Sequence, residues 1–281
     1  MRTVKFGANG PPVAAIGQGT WFIEQARRAD AIQALQHGLT CGLTHIDTAE
    51  MYGDGAAEEI VGEAIVGRRD DIFLVSKVLP WNASYEGTIA ACEASLRRLN
   101  TDWLDCYLLH WPGQHPLDET FAAMAQLEQD GKIRSFGVSN FDVDDLDDAV
   151  AVVGEGRLAC NQVLYHLEQR AIEHAVLPWC REHGVSVVGY SPFGHDGFPS
   201  VRSSGWAVLQ EVATKHGKSE RQIALAFLAR FENVLLIPKS VDPKHLSENS
   251  DAAAITLDDE DIERLDSAFP RGRKPAGLPM L

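Results

Sequence analysis

Short apolar runs alternate along the chain with longer stretches whose apolar residues recur every three or four positions. The first pattern is that of buried strands and the second that of amphipathic helices. The runs are AAIGQG (14–19), THID (44–47), IFLVSKV (72–78), WLDCYLLH (103–110), IRSFGVS (133–139), ACNQVLY (159–165), SVVGYS (186–191) and VLLIPKS (234–240). Helical spacing follows each of them. The clearest helical segments are 56–66, 85–99, 117–129 and 172–183, with glycine at or just beyond several ends as a stop signal. Ahead of the first run, VKF, GANGPP and VAAIG read as a small hairpin. Eight strand–helix units with short loops and no linker-like shift in composition predict an α/β fold: a single (β/α)8 TIM barrel over residues 1–281, with an N-terminal β-hairpin.

Composition narrows the function classes. The chain has 281 residues, 45% of them hydrophobic, which is enough for a sizeable core. Its formal charge of −15 disfavours a broad nucleic-acid surface and leaves room only for a local basic pocket. Cys41, Cys92, Cys106, Cys160 and Cys180 are odd in number, far apart and without a C-x-x-C pair, so they suggest neither a disulfide framework nor a zinc knuckle. A reducing cytosol suits them. The first residues, MRTVKFGANG, carry no apolar signal region, and no apolar run approaches the roughly 18 to 20 residues of a membrane span. A soluble, cytoplasmic protein without membrane or nucleic-acid partners is expected, and the NAS sequon at Asn82 reads as coincidence.

In such a barrel the chemistry gathers at the C-terminal ends of the strands. There the sequence puts Asp47, Tyr52, Lys77, His110, Ser139, Asn140, Gln162, Tyr190, Ser191, Lys239 and Ser240. Asp47, Tyr52, Lys77 and His110 come from neighbouring strands and can converge. A phenol is a poor acid at neutral pH, and an adjacent ammonium stabilises the phenolate and lowers its pKa. Lys77 would supply that charge, Asp47 would keep Lys77 protonated, and His110 would donate a hydrogen bond to a carbonyl oxygen. Such a set suits protonation of an oxygen that is gaining negative charge, as in carbonyl reduction.

GQGTW, IDTAEMYG, LVSKV, LLHWP, GVSN, NQVLYH, YSP and IPKS recur in the order and strand positions of the aldo-keto reductases, and the chain resembles that family from about residue 15 to 249. The resemblance implies NADPH-dependent reduction, with NADH accepted more weakly. Tyr52 is then the proton donor, Asp47 and Lys77 tune it, and His110 orients the substrate. It further implies that Gly19, Thr20, Trp21 and Asp47 border the cofactor. Ser139, Asn140 and Gln162 would hold the nicotinamide carboxamide, Tyr190 stack on the ring, and Ser191 and Pro192 begin the loop over the pyrophosphate. Lys239, Ser240 and His245 would approach the 2′-phosphate, and Glu248 and Asn249 the adenine. His245 stands where much of the family has arginine, and Asp242 where a small hydroxyl residue is frequent, so the preference for NADPH should be narrower. DTAEMYGDG, LVSKVLPWNAS, LLHWPG and NQVLYHL resemble a bacterial subgroup acting on small aldehydes and methylglyoxal-like ketoaldehydes. Trp21, Trp81 and Trp111 are expected in the substrate-pocket wall, the loop WPGQHPLDE is short enough to leave the mouth open, and a monomer is expected.

Other readings compete. Asp47 and Lys77 alone could be a structural ion pair, Ser139 and Asn140 could cap the next helix, which FDVDDLDDAV begins, and His115 or His195 could touch substrate. His166, His174, His183 and His216 lack metal-ligand spacing, so no metal site is expected. There is no G-x-G-x-x-G. HGKS at 216–219 lacks the upstream glycine of a P-loop, because Val212 is there, and GYSPFG lacks the second glycine of a nucleophile elbow. A non-catalytic NADPH-binding sensor of the same fold is the main rival. It should have lost the tyrosine or the lysine, and both are present.

Overall fold

The computed structural model describes residues 2–195, 198, 199 and 201–281. Two antiparallel strands, β1 (Thr3–Lys5) and β2 (Pro12–Ala14), form the expected hairpin. Eight parallel strands follow: β3 (Gln18–Gly19), β4 (His45–Asp47), β5 (Phe73–Val78), β6 (Cys106–Leu109), β7 (Phe136–Ser139), β8 (Leu158–Leu164), β9 (Ser186–Tyr190) and β10 (Val234–Ile237). They pair in chain order, and a parallel bridge between Ile16 and Leu236 brings the first strand against the last. Helices α1 (Arg28–Thr40), α2 (Ala56–Ala64), α3 (Tyr85–Leu99), α4 (Leu117–Gln129), α5 (Val143–Val153), α6 (Val176–Glu182), α7 (Trp206–His216), α8 (Glu220–Leu228), α9 (Pro243–Ala252) and α10 (Asp259–Ala268) complete the fold.

Strand alternation sorts the side chains. Leu74 and Val78 of β5, Tyr107 and Leu109 of β6, and Val187 of β9 pack toward the helices. Val75, Cys106, Leu108, Cys160, Val188, Leu235 and Ile237 fill the interior together with Val4, Phe6 and Val13 of the hairpin, which plugs the N-terminal end. Because successive residues point to opposite faces, the same parity turns Asp47, Lys77, Gln162 and Tyr190 inward at the other end.

The structure corrects one predicted element. Segment 172–183 is not one helix: a 3₁₀ turn over Ala171–His174 precedes α6, with a break at Ala175 (φ −146°, ψ −51°). Pro178 is the cause, since in a continuous helix it has no N–H to give His174 and its ring would strike that carbonyl. The segment 56–66 stops at Ala64, whereas α3 and α4 match their predicted ranges.

At the plugged end His45 lies edge-on to Phe6 and Phe73, with ring centroids 6.2 and 5.6 Å away. Neither ring nitrogen has a partner among the described residues, and burial, reinforced by the charge of Lys77, pulls its pKa down to about 3. The unfolded chain, with an ordinary histidine, takes up a proton first. Stability linked to His45 is therefore fully present above about pH 6.5 and lost as pH falls toward the folded value. His45→Leu should flatten the decline in unfolding free energy between pH 6.5 and 4 by about 1.4 kcal/mol per pH unit, read from urea titrations. An unchanged slope would refute the assignment.

Candidate active site

β4 delivers Asp47 to the barrel mouth, and the chain then turns so that Tyr52 folds back over it. The turn Tyr52–Gly55 needs three successive left-handed residues, Gly53 (φ 57°), Asp54 (φ 53°) and Gly55 (φ 94°). A Cβ on Gly53 would lie 2.6 Å from Glu24 Cγ, and one on Gly55 would lie 2.5 Å from Arg98 Cδ. The glycines of MYGDG therefore serve the placement of the Tyr52 ring, which is 8% exposed.

Lys77, fully buried on β5, has three N–H groups and three acceptors. Nζ donates to Asp47 Oδ1 at 2.6 Å, to the Thr48 carbonyl at 2.9 Å and to the Tyr52 hydroxyl at 3.1 Å. Burial opposes its charge, but Asp47 and Tyr52 outweigh that and hold its pKa above the ordinary lysine value. The second Asp47 oxygen accepts from Gln162 Nε2 at 2.7 Å, so both oxygens of the buried carboxylate are engaged by donors. Thr20 Oγ1 donates to the Asp47 carbonyl at 2.9 Å, tying β3 to the same point.

The Tyr52 hydroxyl accepts from Lys77, so its own proton points elsewhere, toward the cleft. The expected fall in its pKa is not what the structure gives. Burial raises the phenol pKa, and the opposing pull of Lys77 is smaller and is itself offset by Asp47. The phenol consequently stays protonated at neutral pH, as a proton donor must, and the ammonium acts by stabilising the phenolate left behind.

His110 follows β6, its ring 5.9 Å from that of Tyr52 and nearly perpendicular to it. Burial, with a contribution from Lys77, pulls its pKa down to about 2, so it is a neutral imidazole. Nδ1 is buried without a partner among the described residues. A proton on Nε2 would serve as a hydrogen-bond donor to an oxygen in the cleft.

Ser139, Asn140, Gln162 and Tyr190 line the opposite wall of a cleft of ≈ 140 Å³, whose lining also includes Gly19, Thr20, Trp21, Ser191 and Lys239. Asn140 (φ 61°) and Ser191 (φ 49°) are left-handed, a conformation that costs of order 1–3 kcal/mol outside glycine. Hydrogen bonds hold the first of them. Asn140 Nδ2 donates to the His110 carbonyl and to Ser139 Oγ, both at 3.1 Å, and Tyr190 OH donates to Asn140 Oδ1 at 3.0 Å. Ser139 Oγ donates to the Gln162 carbonyl at 2.9 Å. Gln162 Oε1 has no partner among the described residues, and it suits an amide N–H of a nicotinamide carboxamide beside the Tyr190 ring.

Several expectations change. Ser139 and Asn140 do not cap α5; Asp142 does, through a reciprocal capping box with Asp145. Trp21 and Trp111 line the cleft, but Trp81 does not. It is 64% exposed and meets Trp111 edge-on at 5.7 Å on the outer rim, so it is a rim residue and not a pocket wall. His195 stacks on Trp21 at 5.4 Å, while His115 is not part of the cleft. Pro192 is buried next to Ser191. Farther out, Lys239 is exposed and Ser240 Oγ accepts from Asp242 N at 3.0 Å. His245 Nδ1 lies 3.9 Å from Asp242 Oδ2, Glu248 faces Ser219, and Asn249 is buried. Met51 and Ile237 also line the cleft, and Glu50 anchors the following loop through Leu79 N and Asn82 Nδ2. No sequence signal distinguished Met51 and Ile237 from ordinary core residues, although strand parity would have turned Ile237 inward. Among the described residues no three His, Cys, Asp or Glu side chains are grouped to hold a metal ion.

A parallel barrel carrying a buried lysine–carboxylate pair against a phenol and a neutral imidazole at its mouth defines a carbonyl-reducing oxidoreductase. Residues 15–269 match the Aldo/keto reductase family, and the chain belongs to it as an NADP(H)-dependent enzyme. It is 45% identical over 269 residues to methylglyoxal reductase YeaE of Escherichia coli, covering 95% of each chain. Glyoxal reductase of Bacillus subtilis is 33% identical over 262 residues, covering 92% of this chain and 90% of that one. An aldo-keto reductase from Klebsiella pneumoniae, solved in complex with NADPH, superposes with a TM-score of 0.93 at 44% identity, covering 100% of this chain and 99% of that one.

Proposed function

We propose that the protein reduces small ketoaldehydes, with methylglyoxal as the representative substrate, and that Tyr52, Lys77, Asp47 and His110 perform the proton chemistry. The observation that carries this is the Tyr52 hydroxyl, held as an acceptor by a saturated, buried ammonium so that its proton faces the cleft. NADPH supplies the hydride. His110 donates to the substrate oxygen and orients it, Tyr52 protonates that oxygen as charge develops, and Lys77 with Asp47 stabilises the resulting phenolate. Gln162 links this set to the nicotinamide end, where Ser139, Asn140 and Tyr190 complete the cofactor wall. The likeness to methylglyoxal and glyoxal reductases supports the substrate class. One barrel domain over residues 1–281, acting as a cytoplasmic monomer without nucleic-acid or membrane partners, belongs to the same reading.

The test is NADPH oxidation followed near 340 nm with methylglyoxal, glyoxal and a bulky steroid ketone. Small dicarbonyls should turn over and the steroid poorly, since an open mouth gives a large ligand few enclosing contacts. Tight, efficient steroid reduction would refute the substrate class. Lys239 and Ser240 with His245 are assigned to the 2′-phosphate, and Glu248 and Asn249 to the adenine. Asp242 sits beside His245 and weakens that anion site, so His245→Arg should tighten NADPH binding several-fold and leave NADH unchanged. Equal effects on both cofactors, measured as dissociation constants, would remove His245 from the phosphate site.

A further inference from the structure

Beyond the cleft, the first turn of α8 carries a cation that the reading above does not use. The Arg221 guanidinium carbon lies 3.9 Å from the centroid of the Phe193 ring and 5.3 Å from that of Phe198, and the two rings meet edge to face at 5.6 Å. Phe193 is the second residue after Ser191, so Arg221 bridges from α8 to the loop that follows β9. Its burial pulls the guanidinium pKa down, against the attraction of nearby Glu248. The same turn is fastened to α9: Ser219 Oγ donates to Glu248 Oε2 at 3.4 Å and Gln222 Nε2 to the Glu248 carbonyl at 3.1 Å.

On α9, Lys244 Nζ is 3.8 Å from Glu248 Oε1, and His245 Nδ1 is 3.9 Å from Asp242 Oδ2. Among the described residues no carboxylate comes within 4.0 Å of Arg221. Partly desolvating a guanidinium is costly, and aromatic faces only partly offset the lost water. The arrangement is suited to receive an anion from outside the chain, and the chain as a whole, at −15, would otherwise repel one.

We propose that Arg221 is a dinucleotide-binding residue that takes a phosphate of the cofactor's adenosine half, its plane fixed by Phe193 and Phe198 so that the fork meets two phosphate oxygens. This rests on the assignment of residues 239–249 to that end of the cofactor. It also supplies a charge where Asp242 and His245 are poorly suited to do so.

Dissociation constants for NADPH and NADH, from quenching of tryptophan fluorescence, test it in Arg221→Met, Arg221→Lys and Lys239→Ala. Arg221→Met keeps the apolar packing and should weaken NADPH by about tenfold or more, with a shallower salt dependence, while Arg221→Lys should recover most of the loss. A loss confined to NADPH assigns the 2′-phosphate; equal loss for NADH assigns the pyrophosphate, and either outcome upholds the proposal. Unchanged affinity in Arg221→Met overturns it. So do equal losses in the methionine and lysine variants, because then the ring stack and not the charge would matter. Indifference of Lys239→Ala together with Arg221→Met would overturn the groove assignment as well.

Discussion

Tyr52→Phe is expected to lower kcat for methylglyoxal reduction by about 10² to 10⁴ while leaving the NADPH dissociation constant unchanged. The substitution removes one hydroxyl that accepts a single bond from Lys77, and the ring keeps its packing against Trp21 and His110. His110 also faces the cleft, but it is a neutral imidazole, and giving up a proton would leave an imidazolate at far greater cost. The deficit should fall on kcat and not on KM, because the proton is delivered only as charge develops on the oxygen. Steady-state kinetics paired with cofactor titration separates the two, and turnover within tenfold of the unaltered enzyme would sink the assignment of Tyr52.

Lys77→Met should be as damaging to turnover and should also destabilise the fold. Without the ammonium, the phenol loses a neighbour that favours its ionised form, and its pKa moves further above the ordinary tyrosine value. The buried Asp47 carboxylate is then left with Gln162 as its remaining donor, and breaking a buried pair by removing one partner costs about 3–5 kcal/mol. The double variant Asp47→Asn/Lys77→Met removes the uncompensated charge. It should regain much of the stability, by urea denaturation, and none of the activity. If the double variant were no more stable than Lys77→Met alone, Asp47 would not be the charge that Lys77 neutralises.

Periodicity carried the sequence a long way because strand parity and helix spacing are local properties. Eight apolar runs, the hairpin ahead of them, and helices 85–99 and 117–129 could be read without tertiary information. The rule that inward residues at C-terminal strand ends carry the chemistry then brought Asp47, Lys77, His110 and Gln162 to one rim. Where the reading failed, the deciding interaction lay off the local pattern. The break in 172–183 turns on Pro178, a breaker that apolar spacing passes over. Trp81 has the residue type of a pocket wall, but its backbone places it on the outer side of Trp111.

Tyr52 is the sharpest case. Its neighbours in sequence announce a proton donor, and its partner Lys77 is 25 positions away. Its acidity depends on how much water the fold removes, and on a carboxylate whose second oxygen is claimed by Gln162, 115 positions from Asp47. Arg221 is similar: only the loop after β9, folded onto α8, turns a helical arginine into a desolvated cation. The sequence by itself determined the barrel and which chemical groups meet at its mouth, because both follow from short-range alternation. The tertiary structure alone decided how strongly those groups act on one another, because burial and electric field sum over every neighbour, whatever its distance along the chain.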